Sequence, residues 1–180
     1  ELVVSAEICE DVWSILPPST ETAQEGATII VNCAASAAVV GKDAIADKLI
    51  SGHSARAMAG YVYANAGEGE STTDMVFSGH SIIAENGEIL NTSKAYENGV
   101  VYSEIDVKTI CNERRKNSMF VEAEESELVR IPFSVKKEET VLTRKYAQNP
   151  FIPENVNERS AFCEEILTIQ AMGLKKRLAH

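Results

Sequence analysis

The stretch Val3-Val4-Ser5-Ala6-Glu7-Ile8-Cys9-Glu10-Asp11 is a short β-type run that delivers one cysteine among three carboxylates. Carboxylates disfavour a neighbouring thiolate, so Cys9 can act as a nucleophile only where a cation or a positioned general base compensates. On the local pattern alone, an inert thiol at a strand end is the competing explanation. The partners that would activate Cys9 must come from outside the segment.

Outward from this strand, Pro17-Pro18-Ser19-Thr20 breaks the β pattern. Ser19 or Thr20 can cap a short helix to Glu25, which Gly26 ends. Residues 27–32 then read as a buried strand and 61–66 as the next. Between them, 42–59 form a helix, with Ile45, Leu49 and the Ala46/Ile50 pair at helical spacing. Asn86-Gly87, between β-type runs at 75–84 and 88–93, signals a type I′ hairpin because both residues tolerate positive φ. A further strand over 100–107 and a short helix over 109–118 follow. Strand–helix alternation and the apolar continuity of 27–32 point to the parallel or mixed sheet of an α/β protein. Residues 119–149 are charge-rich connector with brief strand-like pieces such as Val129-Arg130-Ile131. The last helix, over 156–178, aligns Phe162, Ile166, Ile169 and Met172 on one face; early glutamates and late Lys175, Lys176 and Arg177 complement its dipole.

With 180 residues, 44% of them hydrophobic, the chain can bury a sizeable core. A net charge of -10 repels phosphate backbones and anionic lipid, which argues against nucleic-acid and membrane partners. The four cysteines, at positions 9, 33, 111 and 163, form no CxxC pair, so no metal site is expected. Their wide spacing and the lack of a signal-peptide pattern favour reduced thiols and a cytoplasmic location.

Several blocks extend the pattern around Cys9. Ala6-Glu7-Ile8-Cys9-Glu10-Asp11-Val12-Trp13, followed by Leu16-Pro17-Pro18-Ser19, resembles the nucleophile strand and loop of the glutaminase domain of glutamine-dependent NAD synthetases, members of the nitrilase superfamily. Gly26-Ala27-Thr28-Ile29-Ile30-Val31-Asn32, Ala35-Ser36 and Val40-Gly41-Lys42 resemble the next strand and substrate-side loop. Ser54-Ala55-Arg56, Tyr61-Val62-Tyr63-Ala64-Asn65-Ala66-Gly67-Glu68-Gly69-Glu70-Ser71-Thr72-Thr73-Asp74 and Gly79-His80-Ser81-Ile82-Ile83-Ala84-Glu85-Asn86-Gly87 resemble the following helix, strand, loop and hairpin. Ordered blocks are more specific than any one motif.

The resemblance implies the C-terminal half of a nitrilase-like αββα sandwich over residues 1–118, a connector over 119–155, and a helix over 156–180 leading toward a synthetase domain. It implies Cys9 as nucleophile and the Glu10 N–H as oxyanion donor, with Trp13, Ser36 and Lys42 binding glutamine. A cation at Lys42 and a hydroxyl at Ser36 suit the α-carboxylate and α-amino groups of a free amino acid; without the resemblance, a solvated lysine and a turn serine would explain them. The family's general-base glutamate and its lysine lie upstream of the cysteine and do not precede it here, so this segment alone is expected to be inactive. ATP and Mg belong to the synthetase domain, whose Ser-Gly-Gly-x-Asp-Ser motif is nowhere in this sequence. A homo-oligomer is expected from an open sheet edge. The acidic loop over 68–74 is left as a surround to the pocket. The alternatives are another carbon–nitrogen amidase of the superfamily, a non-catalytic interaction module, and a Cys–His hydrolase using His53 or His80. No pattern around either histidine supports the last.

Overall fold

The computed structural model describes residues 2–70, 74–120, 128–139, 141–146, 148–149 and 151–179. The chain divides into two units, Glu1–Glu139 and Thr140–His180.

Strand-forming runs in the first unit build one five-stranded sheet: β1 (Val4–Ile8), β2 (Ile29–Ala34), β3 (Gly60–Asn65), β4 (Ile82–Glu85) and β5 (Glu88–Thr92), paired in that order. β1, β2 and β3 run parallel, joined through helices α1 (Pro18–Gln24) and α2 (Lys42–Ala57); β4 and β5 complete the sheet antiparallel. The pleat sorts the side chains. Ile30 of β2, Tyr61 and Tyr63 of β3, and Ile82 and Ala84 of β4 pack with Ala23 of α1 and Ala46, Ile50 and Ala57 of α2 into one core. On the other face Val4 and Ile8 of β1 stay 44% and 69% exposed, and Cys33 and Ala64 are exposed beside them. One sheet with two helices on a single face is half of the αββα sandwich expected from sequence.

The hairpin forms as expected. Asn86 and Gly87 take φ of 48° and 94°, and a Cβ on Gly87 would come 2.9 Å from Ala55 Cβ, so glycine is required there twice over. Several bounds differ from the sequence expectation. α1 starts with Pro18 at its first position, capped by Pro17 rather than by Ser19 or Thr20, and the Ser19 hydroxyl is engaged with His53 instead. β2 begins two residues late because Thr28 ties itself to Val3 through backbone and hydroxyl. β4 begins only at Ile82, since Ser78, His80 and Ser81 are held by side-chain hydrogen bonds rather than a ladder.

Residues 100–107 do not form a strand. Ile105 lies over Gly60, where a Cβ would sit 2.9 Å away, and Asp106 N–H bonds the Glu85 carboxylate, so this β-branched stretch covers sheet rather than joining it. Asp106 then caps α3 (Val107–Lys116) by accepting the Thr109 N–H at 2.8 Å, starting that helix two residues earlier than expected. Arg114 of α3 donates to the carbonyls of Met58, Ala27, Ala57 and Ala23 at 2.9, 2.6, 3.1 and 3.4 Å, tying together the ends of α1 and α2 and the entry to β2. The described residues of 119–139 carry no helix or strand.

In the second unit α4 spans Val156–Leu178, as read from sequence, with Asn155 accepting the Asn157 N–H at its start and Lys175, Lys176 and Arg177 in its last turn. No helix among the described residues is long and apolar enough to cross a membrane.

Candidate active site

Cys9 follows the last residue of β1 and opens a 3-10 turn, Cys9–Trp13, with φ of 50°. That left-handed conformation costs a non-glycine residue about 1–2 kcal/mol, so something must hold it. Asn32 does: its Oδ1 accepts the Cys9 N–H at 2.8 Å and its Nδ2 donates to the Cys9 carbonyl at 3.3 Å. Glu10 is exposed, and its N–H lies in the first turn of the 3-10 segment, where backbone donors have no acceptor within the helix.

The three carboxylates read as a cluster around Cys9 have separate tasks. Glu7 is buried, accepting the Ser19 N–H at 3.0 Å and the Tyr61 hydroxyl. Asp11 turns back to accept the Ile8 N–H at 2.8 Å. Only Glu10 projects to solvent.

Trp13, Ser36 and Lys42, far apart in sequence, line one hollow together with Asp43, Tyr63, Asn65 and His80. Of these, Trp13 follows β1, Ser36 follows β2, and Tyr63 and Asn65 end β3, so the hollow lies at the C-terminal ends of the parallel strands, where open α/β sheets bind ligands. Lys42 Nζ stands 5.6 Å from the Trp13 ring centroid and 3.3 Å from the Ala37 carbonyl. Closed in this way, the hollow encloses about 10 Å³, room for a water and no more. Asn65 holds the Ser36 backbone as Asn32 holds Cys9, its Oδ1 accepting the Ser36 N–H at 2.9 Å. Asp43 accepts the Ser78 hydroxyl at 3.1 Å, and His80 Nε2 lies 2.8 Å from Asp47.

Cys9 and Glu10 do not line this hollow, but the 3-10 turn that Cys9 opens ends in Trp13, which does. Burial pushes the Tyr63 phenol upward from its ordinary value; a hydrogen bond from Ser36 partly offsets this, and the proximity of Cys9 and Asp43 adds to it.

Neither histidine of the Cys–His alternative is bonded to a thiol among the described residues, His53 meeting Ser19, Arg56 and the Tyr61 ring. Ser19 Oγ lies 2.7 Å from His53 Nε2, a serine–histidine contact, but the Arg56 guanidinium donates to His53 Nδ1 at 3.3 Å. The neutral ring then carries its proton on Nε2 and donates to Ser19, which leaves no base for that hydroxyl. Burial, first, and Arg56 lower the His53 pKa from 6.5, against an opposing effect of Glu7. His80 faces Asp47 and the Ser93 carbonyl rather than a thiol.

Asn32, Asp43, Tyr63 and Asn65 were not singled out from sequence, and His80 was weighed only as the partner of a thiol. The usable signal was register: once β1, β2 and β3 are known to be parallel, Asn32 near the end of β2 flanks the residue that follows β1, and Asn65 at the end of β3 flanks the loop that follows β2. Residues 71–73 of the acidic loop lie outside the described residues; Glu68 accepts from Asn98 Nδ2 at 3.2 Å.

Comparison with known proteins bears on this site. Residues 2–115 match the family model described as carbon-nitrogen hydrolase. The chain is 37% identical over 186 residues to the glutamine-dependent NAD(+) synthetase of Mycobacterium bovis, a match covering 98% of this chain and 27% of that protein. It thus spans about a quarter of the length of the curated relatives it matches. Among solved structures, Saccharomyces cerevisiae Nit3, a member of branch 10 of the nitrilase superfamily, superposes with a TM-score of 0.54 at 19% identity over 64% of this chain and 42% of that one. A carbon-nitrogen hydrolase from Helicobacter pylori gives 0.52 at 19% identity over 63% and 43%. These two matches speak to the fold.

Proposed function

Because this chain belongs to the carbon-nitrogen hydrolase family, we propose that it is the nucleophile-bearing half of a glutaminase domain, and that Cys9 hydrolyses the side-chain amide of glutamine. Cys9 Sγ attacks the amide carbon and the C–N bond breaks. Ammonia leaves with a proton delivered by the general base, and a γ-glutamyl thioester remains. Water then attacks the thioester, releasing glutamate and returning the thiol. The Glu10 N–H donates to the oxyanion in both steps.

The hollow receives the amino-acid end of the substrate. Lys42 takes the α-carboxylate and Asp43, beside it in the first turn of α2, takes the α-ammonium with Ser36, while Trp13 forms a wall. Its closed volume requires Lys42 to leave the Trp13 ring as substrate enters. Among the described residues no carboxylate or imidazole is hydrogen-bonded to the Cys9 thiol. The base and the second oxyanion donor are accordingly assigned to parts of the full-length protein outside this segment, and the segment by itself to an inactive state.

The ammonia serves an ATP- and Mg-dependent synthetase domain that converts deamido-NAD to NAD, in a cytoplasmic homo-oligomer; of this reading, the name of the Mycobacterium bovis relative supports glutamine-dependent NAD(+) synthesis. One observation carries the proposal. Three residues chosen from sequence for substrate binding, at positions 13, 36 and 42, converge on one hollow, and Trp13 ends the 3-10 turn that Cys9 opens. Ammonia release from glutamine by the full-length natural protein tests it. Cys9→Ala is expected to abolish release, and undiminished release would overturn the assignment.

A further inference from the structure

We propose that Asn32 is a positioning residue for Cys9, its amide oriented by a buried relay through Tyr61 and Glu7; this rests on Cys9 being the nucleophile. Asn32 is 1% exposed and grips both polar atoms of the Cys9 backbone, accepting the N–H at 2.8 Å and donating to the carbonyl at 3.3 Å. Cys9 sits at φ of 50°, a region that β-carbon sterics disfavour, so its conformation depends on that grip.

Which end of the amide faces Cys9 is decided behind it. One Glu7 oxygen accepts the Ser19 N–H, and the other accepts the Tyr61 hydroxyl. With its proton committed to Glu7, the Tyr61 oxygen can only accept, and Asn32 Nδ2 donates to it at 3.1 Å. A flipped amide would oppose oxygen to the Tyr61 oxygen and NH₂ to the Cys9 N–H. The relay therefore permits one orientation of Asn32 and, through it, one backbone conformation at Cys9. That conformation sets the direction of Sγ and of the Glu10 N–H that follows it. Nothing in the proposed chemistry otherwise uses Glu7 or Tyr61, both of which are buried.

The test measures glutaminase kinetics of the full-length natural protein carrying Tyr61→Phe or Asn32→Asp, at a temperature where circular dichroism shows each folded, with Cys9→Ala alongside. Asn32→Asp keeps an acceptor for the Cys9 N–H and loses both donors. We expect kcat to fall about tenfold for Tyr61→Phe, the effect of one hydrogen bond. For Asn32→Asp we expect a fall of about 100-fold, the cost of a misplaced nucleophile. KM for glutamine should move less than about twofold in both, because the substrate contacts are untouched. A merely structural role would lower the melting temperature and spare kcat; folded variants with wild-type kcat beside an inactive Cys9→Ala would overturn the positioning role alone. An active Cys9→Ala would instead remove the nucleophile assignment and the proposal with it. Should Asn32→Asp fail to fold, Tyr61→Phe decides.

Discussion

Replacing Lys42 by methionine should weaken glutamine recognition without harming the fold. Lysine in the first turn of α2 faces the positive end of the helix dipole, so the helix gains nothing from its charge. Its present contacts, the Trp13 ring at 5.6 Å and the Ala37 carbonyl at 3.3 Å, are those of a cation parked over the hollow. A charge-assisted hydrogen bond to the α-carboxylate contributes about 1.5–3 kcal/mol. The cation–π contact given up on binding is worth ~0.5–1 kcal/mol. The net, about 0.5–2.5 kcal/mol, corresponds to a loss of about 2- to 70-fold in kcat/KM. Because the carboxylate end is remote from the scissile amide, the loss should fall on KM. The assay is ammonia release by the full-length natural protein from glutamine and from 4-aminobutanamide, which has no α-carboxylate. Lys42→Met should lower kcat/KM for glutamine only. Equal losses on the two substrates, or none on glutamine, would refute the role assigned to Lys42.

Three other outcomes follow from the same structure. Arg114→Lys leaves about two of the four carbonyls around the guanidinium without a donor, at about 1–3 kcal/mol each, so urea unfolding should show a loss of ~2–6 kcal/mol; an unchanged midpoint would mean that water replaces those bonds. Burial lowers the His53 pKa, so the unfolded chain takes up a proton near pH 6.5 while the folded one resists it until lower pH; stability from neutral His53 is complete above pH 6.5 and is lost progressively below it. His53→Gln should flatten that part of the pH dependence of the urea midpoint, and an unaltered slope would contradict it. The apolar sheet face bearing Val4 and Ile8, with the open edge of β1, should drive the isolated chain to associate at micromolar concentration; Val4→Lys with Ile8→Lys should lower the mass seen by light scattering, whereas a monodisperse wild-type monomer would rule this out.

Local signals carried much of the fold into the sequence. Asn86-Gly87 marks its hairpin because the turn needs positive φ at two adjacent residues, and α4 declares itself through early glutamates and a basic last turn, to which the structure adds the Asn155 cap. Residues 100–107 misled because β-branched residues suit a strand and a segment covering a sheet equally well, and only Gly60, forty residues earlier, shows which it is. The site was legible to the extent that the resemblance named Trp13, Ser36 and Lys42, which the structure brings to one hollow. Tyr63 and Asp43 become visible only once β3 lies beside β2. The fate of Glu7 was hidden for a related reason: a carboxylate two residues before a cysteine reads as its neighbour, whereas Ser19 and Tyr61, both distant in sequence, draw it into the sheet–helix interface.

The central claim, that Cys9 is the nucleophile of an amide-hydrolysing site for glutamine, is tested most directly by mass-spectrometric mapping of the full-length natural protein after brief exposure to a glutamine-derived chloromethyl ketone. All four cysteines are free, so each competes for the reagent. Cys9 should be labelled quickly and ahead of Cys33, Cys111 and Cys163, with excess glutamine protecting it. Equal labelling of the four, or labelling of Cys9 that glutamine does not slow, would contradict the claim.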